Sequence, residues 1–127
     1  MTAWTEQELS SLENTHEIRV AGRRKDGTIR TLVIVWHVIV DGILYVRSVR
    51  GKEGQWYKGV IRHFEGAISW GALYREVTYT PDSSHDAEID AAYIAKYGTG
   101  SATRAITSEI ATQTTLRIDP KELEAQP

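Results

Sequence analysis

The sequence predicts a mixed α+β protein: a six-stranded antiparallel split β-barrel with two or three flanking helices. Two Asp-Gly pairs lie between apolar, β-branched segments, a pattern typical of tight hairpins. Strand-like segments outnumber helix-like ones, and closing them into a barrel leaves the fewest open sheet edges. The length of 127 residues predicts a single domain, 1–127, with an N-terminal helix within 1–14 and a polar tail at 120–127.

The first elements are a capped helix and a hairpin. Segment 5–8 reads Thr-Glu-Gln-Glu, which fits a capping box and predicts a helix that ends at about Asn14. A brief alternation of apolar and polar residues at 16–21 predicts the first strand. The Asp-Gly pair at 26–27 predicts the turn that follows it.

The most strand-like segment is 29–40, which is β-branched, leucine or aromatic with almost no polar residue. We expect one strand there with both faces covered. The Asp-Gly pair at 41–42 predicts a second hairpin that returns along 43–49. After a flexible basic loop, the spacing of the larger side chains at 55–63 predicts a short helix.

The remaining chain predicts two more strands, a helix and a last strand. Segments 67–70 and 73–80 form a strand pair, and the polar residues at 83–86 cap the next helix. That helix ends at the first glycine of the linker-like piece 98–101. The last strand lies within 112–118.

The composition excludes several kinds of site. The absence of cysteine excludes disulfides, thiolate metal ligands and a cysteine nucleophile. His16, His63 and His85 lack the spacing of metal ligands, so we expect no metal. We also see no signal peptide and no apolar run long enough for a membrane span, and therefore expect a cytoplasmic protein that does not bind membranes.

The net charge of −2 conceals a basic segment. Residues 19–62 hold ten of the fifteen Lys and Arg residues but three of the seventeen acidic ones. Such a segment suits an anionic ligand, although a solvated basic face gives the same pattern. Nucleic-acid binding through this segment ranks third of three functional hypotheses, because the chain is acidic overall and carries no nucleic-acid motif. We expect no nucleic-acid partner.

The candidate binding segment runs from Arg47 to Lys58. It combines basic side chains at a strand end, glycines that allow close backbone approach, and a helix N-terminus, which together suit a phosphate group. Trp56 and Tyr57 either cover a planar ring or fix the helix to the barrel. The segment is neither a Walker motif nor a dinucleotide fingerprint, and a purely structural basic loop has the same composition.

These residues resemble known families. The apolar strand, the Asp-Gly pair, the Leu-Tyr-Val-Arg-Ser run at 44–48 and the Trp-Tyr pair at 56–57 resemble split β-barrel proteins that bind FMN or the deazaflavin cofactor, in particular deazaflavin-dependent nitroreductases. Ile-Asp-Ala-Ala-Tyr-x-x-Lys-Tyr at 89–97 and Thr-Thr-Leu-Arg at 114–117 resemble a related bacterial family of unknown function over nearly the whole chain.

The resemblance implies a flavin- or deazaflavin-dependent oxidoreductase, nitroreductase-like, that acts on a small organic molecule, with the cofactor phosphate on the loop after the third strand. The residues implied near the phosphate are Arg47, Ser48, Arg50, Gly51, Lys52, Trp56, Tyr57 and Lys58. Those implied beside the ring are Ile34, Val35, Trp36 and His37. His37 is the one central imidazole that can donate to the ring or to substrate, although a lone strand histidine is more often structural.

Two further expectations concern ligands and partners. The same barrel, without a cofactor, can hold a small molecule near Trp36, His37, Trp56 and Tyr57, as a binding module or a cofactor-independent enzyme. The resemblance also implies a homodimer that pairs through its sheets. Segment 29–40 has more apolar surface than one small barrel readily covers, which also favours a homodimer.

Overall fold

The computed structural model describes residues 3–121, so predictions that fall on residues 1–2 and 122–127 lie outside it. The helices are α1 (Glu6–Asn14), α2 (Gln55–Val60), α3 (Asp86–Tyr97), α4 (Ser101–Ile106) and α5 (Glu109–Thr112). The strands are β1 (Ile18–Gly22), β2 (Val33–Val35), β3 (His37–Val40), β4 (Ile43–Val46), β5 (Glu65–Trp70), β6 (Leu73–Pro81) and β7 (Leu116–Pro120). From residue 3 to residue 121, no helix has the length and apolar character that crossing a bilayer requires.

The seven strands form one antiparallel sheet in the order β2-β1-β5-β6-β7-β4-β3. β2 and β3 lie at the two ends of this order although they follow each other in the chain. The sheet therefore curls into a nearly closed barrel whose split lies between these two strands. The predicted class, a mixed α+β protein with an antiparallel split barrel, is confirmed.

The prediction of one strand over 29–40 is wrong. Val33–Val35 pair with β1, whereas His37–Val40 pair with β4 at the opposite end of the sheet order. The chain must leave one edge of the sheet and join the other, and Trp36 is the residue between them. This break gives seven strands instead of the predicted six and places Trp36 at the split.

Two apolar clusters stabilise the fold. The barrel interior contains most of the buried core, which comprises Trp4, Leu12, Ile18, Val20, Val35, Leu44, Val46, Tyr57, Val60, Ile68, Trp70, Val77, Tyr79, Leu116 and Ile118. A second cluster lies outside the barrel, where α3 packs on β3 and buries Val38, Tyr45, Ile89, Tyr93 and Ile106. The alternation along β4 explains this division, because Leu44 and Val46 face inward while Tyr45 faces α3.

α2 lies directly against β1 because the contact residue on β1 is a glycine, Gly22. A Cβ on Gly22 would lie 2.6 Å from the carbonyl oxygen of Gly59, far inside van der Waals contact. The approach therefore requires a residue without a side chain at position 22. The contact fixes α2 beside β1, the strand that pairs with β2.

The two predicted Asp-Gly turns and the capping box of the first helix are confirmed. Asp41 and Gly42 both have positive φ, 53° and 75°, as a tight hairpin requires. Gly27 has a φ of 91° in the first hairpin. The Thr5 hydroxyl accepts the N–H of Glu8, and the Glu8 carboxylate accepts the N–H of Thr5, so the capping box is complete.

Several predicted boundaries are wrong. The strand predicted at 43–49 ends at Val46, and the helix predicted at 55–63 ends at Val60. The polar residues at 83–86 do not cap α3 as predicted: the residue before the helix is His85, which makes no side-chain capping bond. Ser84 donates its N–H to the Asp82 carboxylate at 2.8 Å instead of capping the helix.

The piece predicted as a linker, 98–101, leads directly into a helix that the sequence did not predict. α4 occupies Ser101–Ile106 and α5 occupies Glu109–Thr112, so residues 3–121 form five helices instead of the predicted two or three. The Ser108 hydroxyl accepts the N–H of Ala111 and starts α5, a capping pattern that the sequence analysis missed. The last strand therefore begins only at Leu116.

Candidate functional site

A cavity of about 470 Å³ lies at the split of the barrel. One wall is β2 with Trp36, and the others come from the chain after β4, the start of α2, and α4. Its lining residues are Val33, Ile34, Val35, Trp36, Arg47, Ser48, Val49, Arg50, Gly54, Gln55, Trp56, Ala102 and Ile106. The cavity thus brings together seven residues of the predicted site: Ile34, Val35, Trp36, Arg47, Ser48, Arg50 and Trp56.

Most of the lining is apolar. Val33, Val35 and Ile106 belong to, or pack against, the two buried clusters, so this wall is backed by the core. The indole of Trp36 is held by a stacked contact with the Tyr97 ring of α3, at 4.0 Å between centroids and 5° between planes. A stacked partner fixes the orientation of the indole, which makes the aromatic wall rigid.

The polar part of the lining comes from 47–55. Ser48 is buried and donates its N–H to the Thr114 hydroxyl at 2.8 Å. A Cβ on Gly54 would overlap the Ser48 Oγ, so the glycine is what allows the chain to pass this hydroxyl before α2 begins. Glycine is needed here for space, since the backbone of Gly54 has an ordinary φ of −61°.

Arg47 lines the cavity, but its charge is already compensated. The side chain is fully buried, and its guanidinium forms ion pairs with Asp90 and, at 3.6 Å, with Asp86. Its Nε donates to the Thr115 hydroxyl at 2.9 Å. Since a buried cation is stable only when paired, Arg47 holds α3 against the barrel.

Arg50 is the other cation that lines the cavity. It is exposed, and among residues 3–121 no carboxylate lies within ion-pair distance of it. An exposed, uncompensated guanidinium attracts anions and can bind them through two parallel hydrogen bonds. Among residues 3–121, these two guanidinium groups are the only charged groups that line the cavity.

Four residues of the predicted phosphate site do not line the cavity. Gly51 has a φ of 64°, and a Cβ there would lie 3.1 Å from the Ile110 carbonyl oxygen, so it packs against α5. Tyr57 lies in the barrel core, and burial raises the pKa of its hydroxyl. Lys58 forms an ion pair with Glu53 at 3.2 Å, and Lys52 is exposed. The loop predicted as flexible is a 3-10 helical turn at Gly51–Glu53.

His37 does not line the cavity either. Its imidazole is fully buried, with Nε2 at 2.6 Å from the Leu12 carbonyl oxygen and at 3.1 Å from the Nζ of Lys96. Burial lowers the pKa of His37 to about 4, so the ring is neutral at pH 7. The break after β2 turns the His37 side chain towards α1 and α3, whereas its neighbour Trp36 lines the cavity.

The cavity also contains residues that the sequence analysis did not assign to the site. Val33 and Val49 flank residues that were assigned, and Val49 is 47% exposed at the cavity. Gly54 and Gln55 lie inside the predicted segment. Ala102 and Ile106 belong to α4, which begins at the last residue of the predicted linker and in whose remaining residues no element was predicted.

A bacterial family model matches residues 8–118; its description is "Uncharacterized protein conserved in bacteria (DUF2255)". The chain belongs to this family. The family membership confirms the predicted resemblance to a bacterial family of unknown function. Among curated proteins, none matches the chain.

Several solved structures share the fold. An F420 reductase has 16% sequence identity and a TM-score of 0.56, with 94% of this chain and 97% of that chain covered. A FAD-binding protein from Mesorhizobium loti has 20% identity and a TM-score of 0.53, with 94% and 91% covered. A candidate 5-nitroimidazole antibiotic resistance protein from Bacteroides thetaiotaomicron has 14% identity and a TM-score of 0.58, with 96% and 83% covered. At these identities the likeness establishes the fold alone, and it confirms the predicted split-barrel resemblance.

Proposed function

We propose that this cavity binds FMN or a deazaflavin cofactor and that the protein is an oxidoreductase acting on a small organic molecule. The observation that carries the proposal is the cavity itself, which combines an apolar, aromatic wall with one uncompensated cation, Arg50. A planar ring that carries an anionic chain needs both. The fold shared with an F420 reductase and a FAD-binding protein supports the same class of ligand.

The residues present fit such a group. The volume of about 470 Å³ lies within the roughly 300–1,000 Å³ typical of small-molecule sites. Val35, Trp36 and Trp56 offer an apolar surface for a ring, and the absence of a Cβ at Gly54 keeps the space beside the Ser48 hydroxyl open. When bound, a flavin or deazaflavin supplies the electron-transfer chemistry, and the protein supplies position and environment.

The roles of the chain follow from its charges. Arg50 binds the anionic group of the ligand, and the Ser48 hydroxyl accepts or donates one hydrogen bond beside it. Arg47 is a positioning residue, since its donors are used to hold α3 and Thr115. The apolar wall excludes water from the ring.

The lining also determines where protons come from. Within residues 3–121 the lining has no carboxylate, imidazole, amine or phenol. Neither guanidinium can release a proton at neutral pH. We therefore expect any proton that the reaction consumes to come from solvent, and His37 to act only on the fold.

The alternative is a barrel that binds a small molecule without a cofactor, as a binding module or a cofactor-independent enzyme. The observation that favours it is the outward placement of Lys52 and Lys58, which leaves Arg50 as the one uncompensated lining cation of the described chain. A ligand with a single carboxylate would satisfy this cavity as well as a phosphate would.

We also propose a homodimer that pairs through the outer face of the sheet. Ile34, Arg19, Ser69 and Tyr74 lie side by side across four strands, and Ile34 and Tyr74 are 54% and 52% exposed. β2, which contains Ile34, is an edge strand of the sheet, and an apolar edge strand is usually covered. Sedimentation at micromolar concentration should show a dimer that Ile34→Lys dissociates, and a wild-type monomer would contradict this.

The test of the cofactor is the absorbance spectrum of freshly purified full-length protein, followed by titration with FMN and with a deazaflavin. We expect a flavin-type spectrum, or a rise in melting temperature with one of the two cofactors. Colourless protein with no thermal shift would exclude the proposal. A thermal shift with small carboxylic acids alone would establish the cofactor-free alternative.

A further inference from the structure

The outer face of the sheet has a second cavity, which shares only Ile34 with the cavity at the split. Its volume is about 310 Å³, and it lies where β2, β1 and β5 run side by side. Ile34, Arg19 and Ser69 line one side of it and are neighbours in the sheet register. Glu17 and Gly71 lie two positions from Arg19 and Ser69, respectively, and line the other side. This cavity therefore lies on the face proposed above for the homodimer.

Two opposite charges in this cavity have no partner within residues 3–121. Arg19 and Glu17 are both exposed, and neither lies within ion-pair distance of an opposite charge in that range. Elsewhere on the same face, Arg23 pairs with Glu76. Arg19 points outward because both of its neighbours in the chain belong to the barrel core. The face therefore presents one cation and one anion side by side to a partner.

The arrangement of these charges is complementary to itself. Residues two positions apart on a strand lie about 7 Å apart on the same face. In a two-fold dimer, every contact from one residue to another is repeated in the reverse sense. An axis that crosses β1 at Ile18, between the two charges, places Glu17 of each copy against Arg19 of the other. Two ion pairs then form together, and neither charge faces its own kind.

The shape of the face fits the same axis. Tyr74 lies level with Arg19 in the register and is 52% exposed. On the other side of the axis, level with Glu17, the turn between β5 and β6 consists of Gly71 and Ala72. The axis therefore brings Tyr74 of one copy towards small residues of the other, where a large ring has room to pack.

We infer that two copies of this chain pair about a two-fold axis that crosses β1 at Ile18, with two reciprocal ion pairs between Glu17 and Arg19. The inference rests on the homodimer of the proposed function and adds its register and its polar contacts; it does not depend on a cofactor. The exposed side chains of Ile34 and Tyr74 supply apolar contact area. Complementary charges at an interface select the partner and fix its orientation.

Charge reversal in the full chain tests the inference. Arg19→Glu and Glu17→Arg each place like charges at both contacts, so each variant should dimerise at least about tenfold more weakly than the wild type. The measurement is sedimentation velocity over a micromolar concentration series at low salt, with circular dichroism to verify the fold. Lys25→Glu changes the net charge as Arg19→Glu does but lies outside this cavity, so it should dimerise like the wild type.

Mixing the two single variants provides the sharpest result. One chain then has two cations at positions 17 and 19 and the other has two anions, so both contacts are complementary in a heterodimer. We expect the equimolar mixture to sediment as a dimer under conditions in which each variant alone is a monomer. The double variant Glu17→Arg/Arg19→Glu should also recover the homodimer, because it exchanges the two charges within one chain.

The outcomes separate this inference from the homodimer on which it rests. A wild-type monomer would refute the homodimer and the inference together. A wild-type dimer that Ile34→Lys dissociates, but that both charge reversals leave intact, would overturn the inference alone. A mixture of the two single variants that remains monomeric would also overturn it, because reciprocal pairs require the heterodimer.

Discussion

The guanidinium of Arg47 at the end of β4 forms an ion pair with the carboxylate of Asp90 in α3, and the arginine side chain is fully buried. Asp86 forms a second ion pair one turn earlier on the same helix. The wall of the cavity and the position of α3 therefore depend on one cation. Arg47, which its place in the sequence predicts to be a ligand contact, pairs with two carboxylates of α3.

Replacing this cation should destabilise the fold. Arg47→Met removes both ion pairs and the bond to Thr115, while Asp86 and Asp90 are partly exposed and can be hydrated. We expect a loss of about 2–4 kcal/mol in the free energy of unfolding, measured by urea denaturation. Unchanged stability with lost ligand binding would instead make Arg47 a ligand residue.

Arg50 should behave in the opposite way. Arg50→Ala should weaken FMN or deazaflavin binding by about tenfold or more, because it removes a charge-assisted hydrogen bond, and should leave the melting temperature nearly unchanged. Lys52→Ala, in the same loop but outside the cavity, is the control and should change affinity much less. Equal effects of the two substitutions in a fluorescence titration would show that only general charge attraction matters.

The contact between Gly54 and Ser48 should show coupling. Gly54→Ala places a methyl group on the Ser48 Oγ, so the hydroxyl must move, and we expect a loss of about 1 kcal/mol in stability. In a Ser48→Ala background the same change should cost almost nothing, because the overlapping atom is gone. Additive effects in this double-mutant cycle, measured by urea denaturation, would mean that the overlap has no energetic consequence.

These residues also show what the sequence could predict. The hairpin at Asp41 and the capping box at Thr5 were predictable, because each depends on residues within a few positions of one another. The grouping of Ser48, Arg50 and Trp56 was predictable for the same reason. The pairing of Arg47 with Asp90 was not, since it joins residues 43 positions apart.

The break at Trp36 illustrates the same limit for the fold. Composition indicates a strand on both sides of it, but the position of the break depends on which distant strand pairs with each half. The same break turns the buried His37 side chain away from the cavity, towards α1 and α3. A local reading of 29–40 therefore placed His37 beside Trp36 in the site, whereas the structure separates the two side chains.

His37 should make stability depend on pH. Its pKa is lowered to about 4 by burial, whereas the pKa in the unfolded chain is close to 6.5, so acid protonates the unfolded state first. The stabilisation is complete above pH 6.5 and is lost as the pH falls towards 4. Between pH 7 and pH 5 we expect a loss of about 2 kcal/mol in the free energy of unfolding, measured by urea denaturation.

His37→Phe is the control for this pH dependence, because it removes the titrating ring. The carboxyl groups of Asp26, Glu65 and Asp82 have lowered pKa values and lose their contribution only at lower pH. The slope between pH 7 and pH 5 should therefore be much smaller in this variant. A slope equal to that of the wild type would assign the effect to other groups.

The measurement that tests the central claim most directly is a crystal structure of the protein grown with FMN or a deazaflavin. We predict the ring of the cofactor against β2 and Trp36, and its anionic group within hydrogen-bond distance of Arg50. A cofactor bound elsewhere on the barrel, or an empty cavity at saturating cofactor, would contradict the account.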